Sequence, residues 1–544
     1  MTAAMRRRTR WVSLGMVAAL CATVATVQSA SAGPGTVTTL QILTVSDWHA
    51  QLDPLSVSGV SIGGAPALSA YFSAERASNP NTLTFTAGDA FGASPPLAGF
   101  FDEVPAIRAM NLMGFTADTL GNHNFDGGAA ELESLIELAD FDYLSANLTN
   151  RATELPGSYP WKVYEIGGIK VGVVGITNPE APSLVFPGNF ATMVPTDPVP
   201  AANRARAAMQ KAGAKVTIVL THMGVTGTDA TGSATGPLID FANSIGGFDV
   251  IVGDHTDVQY TGTHNGALVV ENRSKGLTYA AIDVQVDNKT GKVKSAGVGF
   301  VSPVVAGVTP DPAIVAMLAP YRTQLAAAFD GRIGVATARF PRGGNVERSG
   351  EAAIGNLVAD SMRLTYGTDI GYTNAGGLRA SLPSSYVPLD LTLNRAFAPY
   401  DLVVGDVYTV LPFGNIVVTR QITGTQLWAA LENGVSQINA FTCNGADGRF
   451  PQISGFRFSF SCSASPGSRV TAVSLNNGTA VDNSSAFTLT MATNDFVNNG
   501  GDSYLMFKDG QGVTRDIMAN VLLDYVTGLG TVTPLIDGRI TKLP

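Results

Sequence analysis

The chain has five histidines, and four of them fall in short motifs at or just after predicted strands. They are Ser46-Asp47-Trp48-His49, Gly121-Asn122-His123-Asn124-Phe125-Asp126, Thr221-His222-Met223-Gly224 and Gly253-Asp254-His255-Thr256-Asp257. A fifth motif, Gly88-Asp89, has the same setting. Residues i and i+2 of extended chain point to one side, so Asp47 and His49 are expected to reach one ion. Alone, an Asp-x-His is usually a satisfied loop pair and a Gly-Asp a turn. As an ordered set in an acidic chain poor in histidine, they point to a metal centre of carboxylate, amide and imidazole. Oxygen and nitrogen donors without thiolate suit Zn²⁺, Mn²⁺ or similar divalent ions. His264 matches no motif and reads as an ordinary surface or supporting histidine.

The second half carries clustered arginine, asparagine, phenylalanine and carboxylate motifs. Arg348-Ser349-Gly350-Glu351 precedes Ile354-Gly355-Asn356-Leu357, and Asn374-Ala375-Gly376-Gly377-Leu378-Arg379 follows. Guanidinium forks match phosphate oxygens. Leu411-Pro412-Phe413-Gly414-Asn415 and Phe496-Val497-Asn498-Asn499-Gly500-Gly501-Asp502 each carry one phenylalanine, and the second ends in a carboxylate. Aromatic faces stack any base, and a carboxylate accepts two vicinal hydroxyls. Taken singly, the phenylalanines would be core and Asp502 a turn residue.

The order D-x-H, GD, GNH-x-x-D, THMG, G-x-H-x-[QTD], with R-x-x-E-x-x-x-GN and N-x-G-G-[IL]-R behind it, resembles the calcineurin-like metallophosphoesterases. The spacing is similar to their 5′-nucleotidase branch, which includes periplasmic UDP-sugar hydrolases and animal ecto-5′-nucleotidases. The resemblance covers nearly all of residues 38–544. It implies an N-terminal four-layer α/β/β/α sandwich, a linker helix and a C-terminal α+β substrate-binding domain. It implies two divalent ions. Asp47, His49 and Asp257 would hold one, Asp89 would bridge both, and Asn122, His222 and His255 would hold the other. It implies that His123, oriented by Asp126, is catalytic and not a ligand. Arg348, Asn374 and Arg379 would contact phosphate, Phe413 and Phe496 would enclose the base, Asp502 would hold the ribose, and Asn415 belongs to the same substrate set. The sequence departs from the pattern at Asp257, where Gln, Thr or His is usual, and at Asp254, where Gly is common.

The activity so implied is removal of the 5′-phosphate of nucleotides, with UDP-sugars or dinucleotide pyrophosphates as further substrates. The alternative within the superfamily is a 2′,3′-cyclic nucleotide phosphodiesterase/3′-nucleotidase. Those relatives tend to carry Asn where Asp126 stands and Tyr-containing motifs where Phe496 to Asp502 stand. A non-catalytic surface binder on the same scaffold would show lost ligands, and none is missing.

Several elements must position these residues. Apolar runs predict strands at Leu40–Val45, Thr82–Thr86, Val171–Ile176, Val216–Leu220, Val250–Val252 and Ala280–Val286, alternating with helices at Glu103–Met113, Ala129–Leu138 and Val199–Ala212. Such alternation predicts an α/β layered domain. Residues 311–330 read as a helix leading to a second domain, with helices at Ala352–Leu364 and Thr425–Gly434 among many short strands. The expected division is 33–302 for the metal domain, 303–330 for the linker, with a hinge there that opens and closes the cleft, and 331–544 for the nucleotide domain.

Residues 1–32 read as a signal peptide. Arg6, Arg7, Arg8 and Arg10 precede an apolar run from Trp11 to Val27, and Ala30-Ser31-Ala32 offers a cleavage site. An uncleaved anchor is the alternative. Export to the cell envelope or medium follows, with no membrane span expected in the mature chain. Removing those residues takes the formal charge from −9 to −13, a field that repels nucleic-acid polymers but admits a small anion where cations gather. Cys443 and Cys462 are expected to form a disulfide in an oxidising compartment, the alternative being two free thiols.

Overall fold

The computed structural model describes residues 37–445 and 447–543; the expected signal peptide lies outside them. In chain order β1 (Val37–Val45), β2 (Thr82–Thr86), β3 (Ala117–Thr119) and β4 (Asp142–Leu144) run parallel in one sheet. A second sheet takes β5 (Trp161–Ile166), β6 (Ile169–Ile176), β7 (Val216–Thr221), β8 (Val250–Gly253), β9 (Tyr260–His264) and β10 (Ala267–Glu271), in the order β9-β10-β8-β7-β6-β5. The chain then returns through β11 (Tyr279–Asp287) and β12 (Val293–Val301) to complete the first as β12-β11-β1-β2-β3-β4.

Strand periodicity explains the layering. Leu40 and Ile42 face Val171, Val173, Ile218, Leu220, Val250 and Val252 across the space between the two sheets. The alternate residues Leu43 and Val45 face outward into α1 (Ala65–Ser78), α2 (Val104–Met113) and α3 (Ala129–Leu138). On the second sheet Val174, Ile176, Val219 and Ile251 pack under α4 (Pro198–Lys211) and α5 (Pro237–Ser244). A strand buried on both faces needs a continuous apolar run, and each such side chain contributes roughly 1.5–3 kcal/mol on burial. The result is the four-layer α/β/β/α sandwich, with the ligand motifs at the strand C-termini.

The helix α6 (Pro312–Phe329), capped by Asp311 accepting from Ala313 N, leads to the second half. There α7 (Ala353–Tyr366), β13 (Ile370–Asn374), β14 (Ile416–Thr423), α8 (Gly424–Gly434), β15 (Pro451–Ser454), β16 (Thr488–Asn494), β17 (Val513–Ile517) and α9 (Met518–Leu529) surround a five-stranded sheet of order β15-β13-β16-β14-β17. One face packs on α7 and α9 through Val417 and Ala492, the other on α8 through Tyr372, Ile422 and Met491. Cys443 and Cys462 are paired, their Cα atoms 5.3 Å apart. Among the described residues no helix is long and apolar enough to cross a membrane.

A buried carboxylate fixes the 384–403 loop of the second half. Asp406 accepts from Val403 N, Ser384 N and Ser384 Oγ at 2.7–3.0 Å and from both terminal nitrogens of Arg395. Asp406→Ala leaves a guanidinium and two amides without their acceptor, so urea unfolding should show a loss of about 3–5 kcal/mol. A loss under about 1 kcal/mol would mean that water replaces the carboxylate and the network is dispensable.

Candidate active site at the strand ends

The chain leaves β1, β2, β3, β7 and β8 at the same edge of the sandwich, and each exit carries one motif. The exits are turns, not extensions of the strands. Asp47, His49 and Ala50 all have left-handed backbone, φ 36°, 46° and 46°, as do Asp89 at 49° and His255 at 91°. Asp47 and His49 therefore converge through a tight turn, and the expected extended i, i+2 geometry is corrected. Non-glycine residues hold such conformations only where their surroundings over-determine them. Two motif glycines are explained by close approach: a Cβ on Gly88 would lie 2.7 Å from His222 Nδ1, and one on Gly121 would lie 2.2 Å from Asp89 Oδ1.

Three overlapping groups of donor atoms result: Asp47, His49 and Asp89; Asp89, His222 and His255; and Asp47, His222 and Asp254. His222 Nδ1 is 3.0 Å from the Ala87 carbonyl and His49 Nδ1 is 2.8 Å from that of Gly92. Donating there leaves each Nε2 lone pair facing the cleft. His222 Nε2 then lies 3.0 Å from Asp89 Oδ2 and 3.1 Å from His255 Nδ1, with Asp47 Oδ1 at 4.0 Å. So many lone pairs converge only around a proton or a metal cation. Asn122 Oδ1 is buried without a hydrogen-bond partner, as a metal-directed amide oxygen would be. The donor set therefore fits divalent ions.

The electrostatics agree. Burial lowers His222, but the Asp89 and Asp47 carboxylates override it and raise the ring to about 9. Burial raises Asp89, yet His222 and His123 hold it well below the usual carboxylate range. Burial pushes Asp47 up to about 6. Burial, then the positive charge of His222, lowers His255 to about 3, so its ring is neutral and able to ligate. Asp257 stands outside all three donor groups. It lines the cleft, receives Asn345 Nδ2 at 3.3 Å, and despite burial is held low by Arg342, Ser274 and Arg348.

His123 sits beside the cluster with Nδ1 3.0 and 3.1 Å from the two Asp126 oxygens. Asp126 is itself fixed by Ala93 N at 2.9 Å. The His123 ring stacks on Phe413 of the second half at 5.5 Å. Arg379, also from the second half, places Nη2 3.0 Å from His49 Nε2. One cavity of about 710 Å³ runs between the halves. It is lined by Asp47, His49, Asp89, Asn122 and His255 of the first half and by Arg348, Asn374, Arg379, Phe413, Asn415, Phe496 and Asp502 of the second. Within it Asn374 Nδ2 binds Asp502 Oδ2 at 2.7 Å, and Asn415 Nδ2 binds Asp495 at 2.9 Å. Phe496 lies flat on Gly501, where a Cβ would meet its ring at 2.4 Å.

Sequence reasoning missed three supports. Asp254 accepts from Asp47 N and His255 N, both at 3.0 Å, and so ties two donor loops together. Asn124 Oδ1 accepts from Asp89 N and Gly121 N. Glu271 accepts from Val225 N and Thr256 Oγ and braces the loops after β7 and β8. The first two lie inside motifs already singled out; the third has no local signal.

A double sandwich with histidine and carboxylate donors at its strand ends, facing a second domain across a cleft, defines a two-domain metallophosphoesterase fold. Residues 332–509 match the family described as 5′-nucleotidase, C-terminal domain. A 5′-nucleotidase precursor from Thermus thermophilus superposes with a TM-score of 0.81 at 29% identity, covering 93% of this chain and 99% of that one. The snake venom 5′-nucleotidase of Naja atra is 26% identical over 92% of this chain and 98% of its own length. Endonuclease YhcR of Bacillus subtilis (strain 168) is 27% identical over 83% of this chain, which spans only 36% of that relative. Residues 332–509 thus carry the C-terminal domain of that family, and the chain as a whole is similar to 5′-nucleotidases.

Replacing the shared carboxylate, Asp89→Ala, is expected to lower bound metal and abolish phosphomonoester turnover; wild-type metal content and activity in elemental analysis and assay would rule out its bridging role. His123→Ala should instead keep the metal content while cutting kcat by about 10²–10⁴-fold. Loss of a metal equivalent in that variant would place His123 among the ligands.

Proposed function

We propose that this chain is an exported phosphohydrolase that removes the 5′-phosphate of nucleotides, giving nucleoside and phosphate. Its cofactors would be two divalent ions, Zn²⁺, Mn²⁺ or similar. The observation that carries this reading is one cavity with a metal-binding donor set at one end and two phenylalanines beside a carboxylate at the other. On this reading Asp47, His49 and Asp257 hold one ion, Asn122, His222 and His255 the other, and Asp89 both. When bound, such a pair supplies an activated water, a clamp on phosphate oxygens and compensation of developing charge.

The remaining steps belong to side chains. Arg348 and Arg379 direct guanidinium groups at the phosphate, and Asn374 joins them from the same wall. His123, with Nδ1 committed to Asp126, presents its other nitrogen to the leaving 5′-oxygen and protonates it. Phe413 and Phe496 take the two faces of the base. Asp502, with left-handed backbone of φ 50° and one oxygen on Asn374, accepts from the ribose hydroxyls. Asn415, fixed by Asp495, completes the edge of the base site.

On this reading UDP-sugars and dinucleotide pyrophosphates are further substrates, attacked at the phosphorus next to the ribose. The family's cyclic phosphodiesterases are disfavoured by Asp126 and by the tyrosine-free 496–502 motif. The polymer substrate named for the Bacillus relative is not carried over, because the chain's net charge of −9 opposes a polyanion. The reading includes cleavage after residue 32, a metal domain to 302, a linker to 330 and a nucleotide domain beyond it. It also includes residence in the cell envelope or medium.

Phe413→Ala and Phe496→Ala should each cost roughly 1–3 kcal/mol in kcat/KM on AMP, GMP and UMP while p-nitrophenyl phosphate, lacking base and ribose, changes little. Equal losses on both substrate types would make the rings core residues. Burial, with Asp447 nearby, raises Asp502 to about 6. Its carboxylate is therefore lost as pH falls through 6, and the preference for AMP over its 2′,3′-dideoxy analogue should shrink below that pH. Asp502→Asn should flatten the pH dependence of that ratio; a ratio that still titrates would assign it to another group.

A further inference from the structure

The cleft has an arm that the nucleotide reading does not use. Beside Asp126 it is lined by Ser94, Gly99, Asp102, Glu103 and Glu131. Its floor is Glu103, only 7% exposed, with Oε2 making no hydrogen bond. Its mouth carries the exposed carboxylates of Asp102 and Glu131. The local backbone is built for this. Asp102 and Glu103 both adopt left-handed φ, 51° and 59°, at the entry to α2. Glu131, in the first turn of α3, lays its carboxylate where a Cβ on Gly127 would meet it at 2.2 Å.

The charged neighbours acting on Glu103 are Asp126 and Glu131, and those acting on Glu131 are Asp102 and Asp126; all are acidic. Burial and these neighbours push the Glu103 carboxyl up to about 8. Ser94 and the Gly92 backbone draw the Glu103 carboxyl back down, but its Oε2 stays unpaired beneath the Asp102 and Glu131 carboxylates, a place where a cation would hold Glu103 ionised. It is not a metal cage. The acid and histidine groups close enough to share one ion among the described residues all lie around Asp47, Asp89 and Asp254. Carboxylates spread more widely suit an organic cation that meets them one at a time.

His123 forms a wall common to both arms. Its ring stacks on Phe413 on the nucleoside side and its Nδ1 binds Asp126 on the acidic side. An oxygen leaving at His123 can therefore carry its alcohol in either direction. We propose that the acidic arm is a second leaving-group subsite, which takes the ammonium group of an amino-alcohol phosphomonoester such as choline phosphate or ethanolamine phosphate. The proposal rests on phosphate binding as read above. In the reaction the oxygen of water bonds to phosphorus, and the bond from phosphorus to the alcohol oxygen breaks with its electron pair on that oxygen. His123 gives that oxygen a proton, and one water proton restores the balance. Amino alcohol and inorganic phosphate are the products.

The test compares kcat/KM of the full chain, supplied with Zn²⁺ or Mn²⁺, on choline phosphate and on 3,3-dimethylbutyl phosphate, its uncharged isostere, with AMP as reference. The charged substrate should be preferred by about fivefold or more, the scale of one partly exposed ion pair. Asp102→Asn/Glu131→Gln, at exposed positions that leave the fold intact, should bring the ratio near one while AMP turnover stays within about twofold. Glu103→Gln should do the same. A wild-type ratio near one with AMP still hydrolysed overturns this subsite alone. A ratio unmoved by the surface double variant also overturns it. Failure to turn over any of the three phosphates overturns the phosphohydrolase reading and this proposal with it.

Discussion

The structure depends on crowding lone pairs in a place where water cannot separate them. Asp47, Asp89, His222 and His255 bring carboxylate oxygens and ring nitrogens into overlapping groups whose atoms lie within 4.8 Å of one another, at positions buried except for the half-buried His255. Such a cluster is unfavourable until a positive charge enters, and the two sheets exist in part to enforce it. Their strands end in register, and the left-handed turns beyond them have too few alternatives to swing the donors apart. Asp254 and Asn124 accept from backbone amides of the donor loops and so hold those loops in place. Rigid donors select for charge and geometry before any substrate arrives.

The second half answers that cluster with groups that need an anion between. Arg379 comes within hydrogen-bond distance of His49, and Phe413 stacks on His123. Both contacts join residues on either side of the cleft, so the arrangement of the halves sets the geometry of the site as much as either half does. A phosphate at this junction would meet arginine from one wall and the donor cluster from the other. The base site is more loosely built. Phe496 rests on Gly501, and the strained turn at Asp502 is held by Asn374.

Much of the first half is legible in the sequence because parallel strands buried on both faces read as plain apolar runs. β1, β2, β6, β7 and β8 lie within a few residues of the runs that predict them, and β11, antiparallel and covered on one face, does so through alternation. β3 and β4 escape such a reading, since three residues carry too little pattern to register. The motif residues are legible as a set because their order is a family signature. Their convergence is not derivable from local geometry, as the turn at Asp47 and His49 shows. Contacts such as Arg379 with His49, 330 positions apart, and the bracing by Glu271, leave no local trace. The second half is legible mainly in its helices. Its strands, short and mixed in direction, are expected without being placed.

The helix between the halves has a consequence for how the protein holds together. Its buried side chains Ile314, Leu318, Leu325 and Phe329 belong to the same apolar cluster as α1, α2 and α3, and that cluster also takes in Tyr386 and Val403 from beyond the linker. Tyr386 Oη and Leu389 N further bind Asp330 just past its end. The seam is thus a shared interior and not a tether. Cutting the gene at the linker would strip Tyr386 and Val403 of their neighbours and expose an oily face on the downstream fragment. Modules that look separable by sequence are, in this molecule, joined as one piece of material.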